Sequence, residues 1–338
     1  MVYESIELFA GAGGLALGLE NSGIKHNLLV EVDKDCVETL RNNRPQWNVK
    51  HADIKDVSFE GMKADIVTGG FPCQAFSHAG KKLGFKDTRG TLFFEFARCV
   101  KEVKPKICVA ENVEGLLRHD KGRTLETMIN VLSGFGYEVK YKVLNSVNFE
   151  VPQKRRRLII VGTKDGINFN FPRGSKKVLT IGDALKDVPK SPGLGYSENK
   201  KKVLDLVPPG GCWVNLPEDV KKDYMGKSLY SGGGKRGMAR RMSWDEPCLT
   251  LTTSPCQKQT ERCHPEETRP FTVREYARIQ TFPDDWEFSG SLYSQYKQIG
   301  NAVPVKLAEN VGKQIIKALK SKNSKKEVQS TLNEVIAK

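Results

Sequence analysis

Through the first 161 residues, short apolar runs of strand character alternate with stretches of helical spacing, and this alternation narrows the fold more than any other feature of the chain. Strand-like runs fall at 6–9, 28–32, 65–68, 107–110 and 158–161, and helical spacing at 15–21, 36–42, 92–103 and 125–132. Strands separated by helices predict an α/β fold, a doubly wound and mostly parallel sheet. In such sheets ligands gather in the loops that follow the strands. Chemistry is therefore expected in those loops.

From about residue 172 to 267 the texture changes to Gly, Pro, Lys and Ser, with Pro208-Pro209-Gly210-Gly211 and Ser231-Gly232-Gly233-Gly234 interrupting weakly patterned segments. A smaller, irregular second domain is expected there. Helical patterning returns at 273–282 and 305–319. The expected organisation is a first domain from 1–180 plus 290–322, a second from 181–289 including its hinge, and a Lys-, Ser- and Asn-rich mobile tail at 323–338. No apolar run reaches membrane-spanning length and the opening Met1-Val2-Tyr3-Glu4-Ser5 lacks the order of a signal peptide, so a cytoplasmic protein without a membrane partner is expected.

Lys and Arg total 54 against 40 Asp and Glu, a formal charge of +14 that favours a polyanion such as nucleic acid, although lysine-rich surfaces also serve solubility. Eight cysteines in a chain of 338 residues do not form the framework of a small secreted domain. Cys248, Cys256, Cys263 and His264 lack a Cys-x-x-Cys spacing, and no metal is expected.

Several loops carry the residues of interest. Phe9-Ala10-Gly11-Ala12-Gly13-Gly14 follows the first strand and opens a helix, where glycines let the backbone turn tightly against a ligand or simply pack. Glu31 closes the second strand 20 residues after Gly11, where a carboxylate can take ribose hydroxyls or stand solvated. Asp53 can accept from an adenine amino group, and Val32 can lie against the ring, or the two are a surface carboxylate and a core valine. The absence of a Lys-Ser or Lys-Thr ending argues against a triphosphate loop. After the strand at 65–68, Gly69-Gly70-Phe71-Pro72-Cys73-Gln74 places a thiol at the same edge of the sheet. Glu111-Asn112-Val113 follows the strand at 107–110, and Gln153-Lys154-Arg155-Arg156-Arg157 precedes that at 158–161.

These four motifs, with two later ones at 269–283 and at 295–304 ending Gly300-Asn301-Ala302-Val303-Pro304, strongly resemble the cytosine-C5 DNA methyltransferase family of the prokaryotic restriction-modification type. The resemblance covers nearly the whole chain outside the variable stretch and the tail. It implies a Rossmann-like S-adenosylmethionine-dependent methyltransferase fold with a target-recognition domain. It also implies methyl transfer to C5 of a flipped cytosine in a specific duplex DNA site, leaving S-adenosylhomocysteine. A partner endonuclease follows from the family alone, and monomeric action is expected.

The resemblance implies that Cys73 adds to cytosine C6, a step that needs thiolate, of which a thiol of intrinsic pKa about 8.5 holds little at neutrality unless cations lower it. Arg155 and Arg157 are expected to supply that field, with Arg157 also contacting the base carbonyl or the active-site carboxylate. Glu111, protonated or sharing a proton with N3, would stabilise charge on the ring, while Asn112 positions the loop. Phe9, Ala12, Gly13, Gly14, Glu31 and Val32 are expected cofactor contacts, together with Asp53, Ile54, Pro72, Leu92, Asn301 and Ala302. The asparagine motif implies that the helix after Val305 packs back on the first domain.

A stacked cytosine hides C5 and C6, so the base must leave the duplex. Gln74, Ser77, Gln153, Lys235, Arg236, Arg240, Arg241 and Thr250 are the expected DNA contacts. The loop from Gly232 to Gly237 with Arg240 and Arg241 suits phosphate positioning or reading of guanine, and equally a solvated basic loop. Thr250-Leu251 is similar to the family's threonine dipeptide. Two rival readings stay open, a tRNA cytosine-C5 methyltransferase on the same scaffold and a catalytically silent DNA-binding relative.

Overall fold

The computed structural model describes residues 2–72, 92–230 and 237–336, with side chains as far as 322. Two compact units emerge, one of Met1–Asn145, Arg156–Gly174 and Val305–Lys338, the other of Ser146–Arg155 and Ser175–Pro304. The second unit thus takes in Ser146–Arg155 and residues 290–304, which the sequence reading gives to the first domain. The reason is local bonding: Gln153 and Arg155 reach to the Leu251 backbone, and the helix ending at Asn301 is held by Gln280.

In the first unit the strands are β1 (Tyr3–Leu8), β2 (Ile24–Glu31), β3 (Val49–His51), β4 (Ile66–Gly69), β5 (Ile107–Val113), β6 (Glu138–Asn145) and β8 (Arg156–Thr163), whereas the short β7 (Gln153–Lys154) belongs to the second unit. The sheet runs β3-β2-β1-β4-β5-β8-β6, parallel from β3 to β5 and antiparallel at β8 and β6. The mixed α/β fold with a mostly parallel sheet is the expected one. Strand order reverses between β1 and β4, which opens a crevice beyond their carboxyl ends. Register levels that edge: Leu8 pairs with Val30 and Gly69, and Gly69 with Ala110.

Helices α1 (Gly14–Ser22), α2 (Lys34–Asn43), α3 (Leu92–Val103) and α4 (Arg123–Gly134) return the chain between strands. Asp33 caps α2 by accepting from the Asp35 amide, and Gly23 ends α1 in a left-handed turn at φ 99°. Phe93, Phe96 and Val100 of α3, with Leu125, Met128 and Leu132 of α4, bury against Ile6, Leu8, Val67 and Cys108 of the sheet. Burial of each such side chain is worth about 1.5–3 kcal/mol.

The last helix, Val305–Ile336, packs on α1 with almost no space between backbones. A methyl group at Gly18 would sit 2.4 Å from Ala308 Cβ and 2.5 Å from the Val305 carbonyl oxygen. Gly18→Ala is therefore expected to destabilise the unit by about 1–3 kcal/mol through overpacking, read as a fall of several degrees in melting temperature. An unchanged melting temperature would show that the two helices do not approach this closely. The stretch read as a tail from 323 continues as helix to Ile336. Its Lys, Glu, Gln and Leu content favours helix and outweighs its serines and asparagines.

In the second unit, β7 pairs in parallel with β9 (Cys248–Leu249), short helices form at Ile181–Leu185, Glu198–Asp205, Glu218–Met225, Val273–Ile279 and Leu292–Asn301, and Glu198–Asp205 and Glu218–Met225 contribute to a small core with Tyr196, Leu204, Val207 and Leu216. Capping boxes at Thr180 with Asp183 and at Thr272 with Glu275 start two of these helices. No helix among the described residues is long and apolar enough to cross a membrane.

Candidate active site

Beyond the levelled edge of the sheet, the next residues of β1, β2, β4 and β5 are Phe9, Glu31, Gly70 and Glu111, so the register itself assembles the site. The β1 loop is backbone-strained: Phe9 adopts φ 58°, unusual for a side-chain-bearing residue, and Gly13 caps α1 at φ 85°. Glu31 holds this loop. Its Oε2 accepts from the Gly11 amide at 2.7 Å, and its Oε1 from the amides of Val32 at 2.9 Å and Asp33 at 2.8 Å. A carboxylate offers about four acceptor positions, so Oε2 retains room for one hydroxyl.

Beside it Val32 is 63% exposed, an apolar surface with no protein partner covering most of it. Asp53 is exposed and caps the turn Ile54–Asp56 by accepting from Lys55, while Ile54 is buried in the core. Ala12, Gly13 and Gly14 are buried beneath the loop, Pro72 is exposed, and Leu92 packs against the core at the start of α3. Sequence reading missed Glu7, one strand residue below. It is fully buried, accepts from Thr68 Oγ1 and the Ala16 backbone, and is pushed by burial up to about 8. The signal was an acid between Ile6 and Leu8 in the run at 6–9.

Glu111 and Asn112 end β5 side by side, but alternation sends them to different work. Glu111, 9% exposed, accepts at Oε1 from Arg157 Nε at 2.8 Å. The antiparallel register supplies that cation, since Val113 pairs with Arg157 across β5 and β8. Burial pulls the Arg157 guanidinium down and Glu111 pulls it back up. A Cβ at Gly70 would lie 3.2 Å from Oε2, so the missing side chain lets the carboxylate sit close to this backbone. Asn112 Nδ2 donates to the Phe71 carbonyl at 2.9 Å, and its Oδ1 accepts from the Val113 amide at 2.9 Å, pinning the segment two residues ahead of Cys73. Phe71 itself is wedged among Phe9, Phe93 and Phe96.

Cys73, Gln74, Ser77, Lys235 and Arg236 lie outside the described residues. Burial pushes the thiols of Cys108 and Cys248 up to about 12, so both stay protonated and unreactive at neutral pH.

In the second unit several expected contacts turn out to hold backbone. Arg155 is 1% exposed and donates to the Leu251 carbonyl at 2.9 Å and the Gly300 carbonyl at 2.7 Å. Gln153, wholly buried, donates to Gln280 and accepts from the Leu251 amide, which leaves it no surface to offer DNA. Arg241, 4% exposed, donates to the carbonyls of Val207, Leu204 and His264 and to Thr268, a structural cation and not a phosphate contact. Arg240 is paired with Glu246 and donates to the Gly210 carbonyl. Thr250 donates to the Lys154 carbonyl at 2.7 Å. Asn301 is exposed at the end of its helix, and Ala302 is buried with its carbonyl accepting from Gln280.

A profile of C-5 cytosine-specific DNA methylases matches residues 3–317. The Escherichia coli protein Type II methyltransferase M.Eco47II is 58% identical, over 96% of this chain and 81% of its own length. Type II methyltransferase M.Sau96I of Staphylococcus aureus is 57% identical, over 95% of this chain and 77% of its own. Among solved structures, the S. pombe Dnmt2 methyltransferase shares the fold at a TM-score of 0.62 and 19% identity, covering 94% of this chain and 99% of that one. With the paired carboxylate at the end of β5 and the glycine loop after β1, these likenesses place the chain in one group: it belongs to the C-5 cytosine-specific DNA methylase family.

Proposed function

We propose that the protein transfers a methyl group from S-adenosylmethionine to C5 of a flipped cytosine in a specific duplex DNA site, protecting host DNA beside a restriction endonuclease. The observation that carries the reading is the Glu111–Arg157 pair at 2.8 Å, set one strand from the segment that leads to Cys73 and pinned to it by Asn112. The strained β1 loop, the spare acceptor position of Glu31 and the uncovered Val32 fit an adenosine group. When bound, S-adenosylmethionine supplies an electrophilic methyl group on a sulfonium. Phe9, Glu31, Val32 and Asp53 would hold it, with Pro72 and Leu92.

The Cys73 thiolate adds to cytosine C6, which makes C5 an enamine carbon and the place where the new methyl group is carried. Glu111 holds a proton at N3, so charge does not accumulate on the ring, and Arg157 fixes the carboxyl group that does so. Loss of the C5 proton then drives out Sγ and restores the ring. In 5-fluorocytosine that proton is replaced by fluorine, which has no route out as a cation. Incubation with S-adenosylmethionine and a mixed-sequence duplex carrying 5-fluorocytosine should give a denaturation-resistant complex mapped to Cys73 and lost in Cys73→Ser. A crosslink to RNA alone, or none with any nucleic acid despite cofactor binding, would overturn the reading.

A further inference from the structure

The second unit contains a buried charged hub that the proposed chemistry does not use. Glu261 is fully buried, yet its carboxylate accepts from Tyr224 Oη at 2.7 Å, from Lys200 Nζ at 2.6 Å and from the Ala239 amide. Its own amide donates to the Gly237 carbonyl at 2.9 Å. The next residue, Arg262, is 6% exposed and turns the other way. Its Nε and Nη2 both donate to the Thr250 carbonyl, at 3.2 and 3.0 Å. Adjacent side chains thus seize two backbone segments, the turn at 237–239 and the Thr250-Leu251 dipeptide.

Three features mark this as more than packing. Burying charge costs several kcal/mol per ion, and well-packed apolar residues are often the more stable choice, so a retained buried pair points to one geometry being fixed. Both side chains hold backbone atoms, which sets where neighbouring side chains project. The held turn is itself strained: Ala239 sits at φ 44°, a left-handed conformation costly for a residue with a Cβ. In sequence that turn follows Lys235-Arg236 directly.

We propose that Glu261 and Arg262 are positioning residues for target recognition, coupling the turn of buried Met238 and Ala239 to the Thr250 backbone so that the partly exposed Gly237 and Thr250 keep one fixed spacing toward the DNA duplex. The proposal rests on the DNA-methylase reading. It makes neither residue a contact to a base.

The test uses the full chain and a plasmid of mixed sequence, with bisulfite sequencing to locate every methylated cytosine. Wild-type protein defines its own site in the same experiment. Glu261→Gln is expected to raise the KM for DNA tenfold or more and to spread methylation to sites one base pair removed. The KM for S-adenosylmethionine should stay within twofold and kcat within threefold. Tyr224→Phe removes one of the hub's hydrogen bonds without creating a cavity, and should shift the DNA KM about threefold in the same direction. If Glu261→Gln fails to fold, Tyr224→Phe decides alone. Unchanged site choice and DNA KM in a folded variant would overturn the positioning proposal, as would equal losses in both KM values and in kcat. Absence of methylcytosine with wild-type protein would instead overturn the underlying function.

Discussion

Glu111→Gln is expected to lower kcat for methyl transfer by about 10²–10⁴-fold, the range for loss of a positioned proton donor or acceptor. The substitution keeps the volume and planarity of a side chain that is only 9% exposed, so packing around it should survive. What disappears is the carboxyl group proposed to hold a proton at N3, and with it the anionic partner of Arg157, 2.8 Å away. The KM for S-adenosylmethionine should not change, because the substitution alters neither Glu31 nor the β1 loop that Glu31 holds. Single-turnover transfer of a radiolabelled methyl group to plasmid DNA measures this directly. A rate within threefold of wild type would remove Glu111 from the chemistry and leave its ion pair a structural one.

Arg155→Ala is expected to act on stability. The guanidinium satisfies the carbonyls of Leu251 and Gly300 from a position 1% exposed to solvent. Truncation leaves both acceptors buried at about 1–3 kcal/mol each and empties the volume of the side chain. Arg155→Lys should recover only part of the loss, because one ammonium on a flexible stem cannot reproduce a planar fork that reaches two carbonyls. Thermal and urea melts of the two variants check this. If Arg155→Ala melts with the wild type and loses only turnover, the guanidinium serves the Cys73 thiolate, as the sequence motif suggested.

The contrast between these two arginines shows where sequence reading stops. Arg155 and Arg157 sit two residues apart in one motif, and both are plausible cations for a thiolate. Residue 157 pairs with Val113 in the sheet and so meets Glu111, whereas residue 155 precedes β8 and bonds within the other unit. Lys154 and Arg156 carry no signal of that division. The same holds for Gln153 and Arg241, polar residues in a basic neighbourhood whose side chains are consumed by backbone carbonyls and amides. A buried polar group needs partners, and the partners are 23–127 residues distant.

The sequence alone determined the α/β class, the sheet's strands other than β3 and β6, the glycine loop and the acids at its edge, because strand and helix periodicities, turn residues and motif order are local properties of the chain. It also determined the family, since six motifs in order leave little room for another. Tertiary structure alone decided which charged residues face a ligand and which serve the fold. Register brought Glu111 to Arg157, a carboxylate at position 261 found a turn 22 residues earlier, and a missing side chain at Gly18 let two helices meet. Those outcomes depend on distances across the fold, and a buried charge reveals its role only through the atoms that surround it.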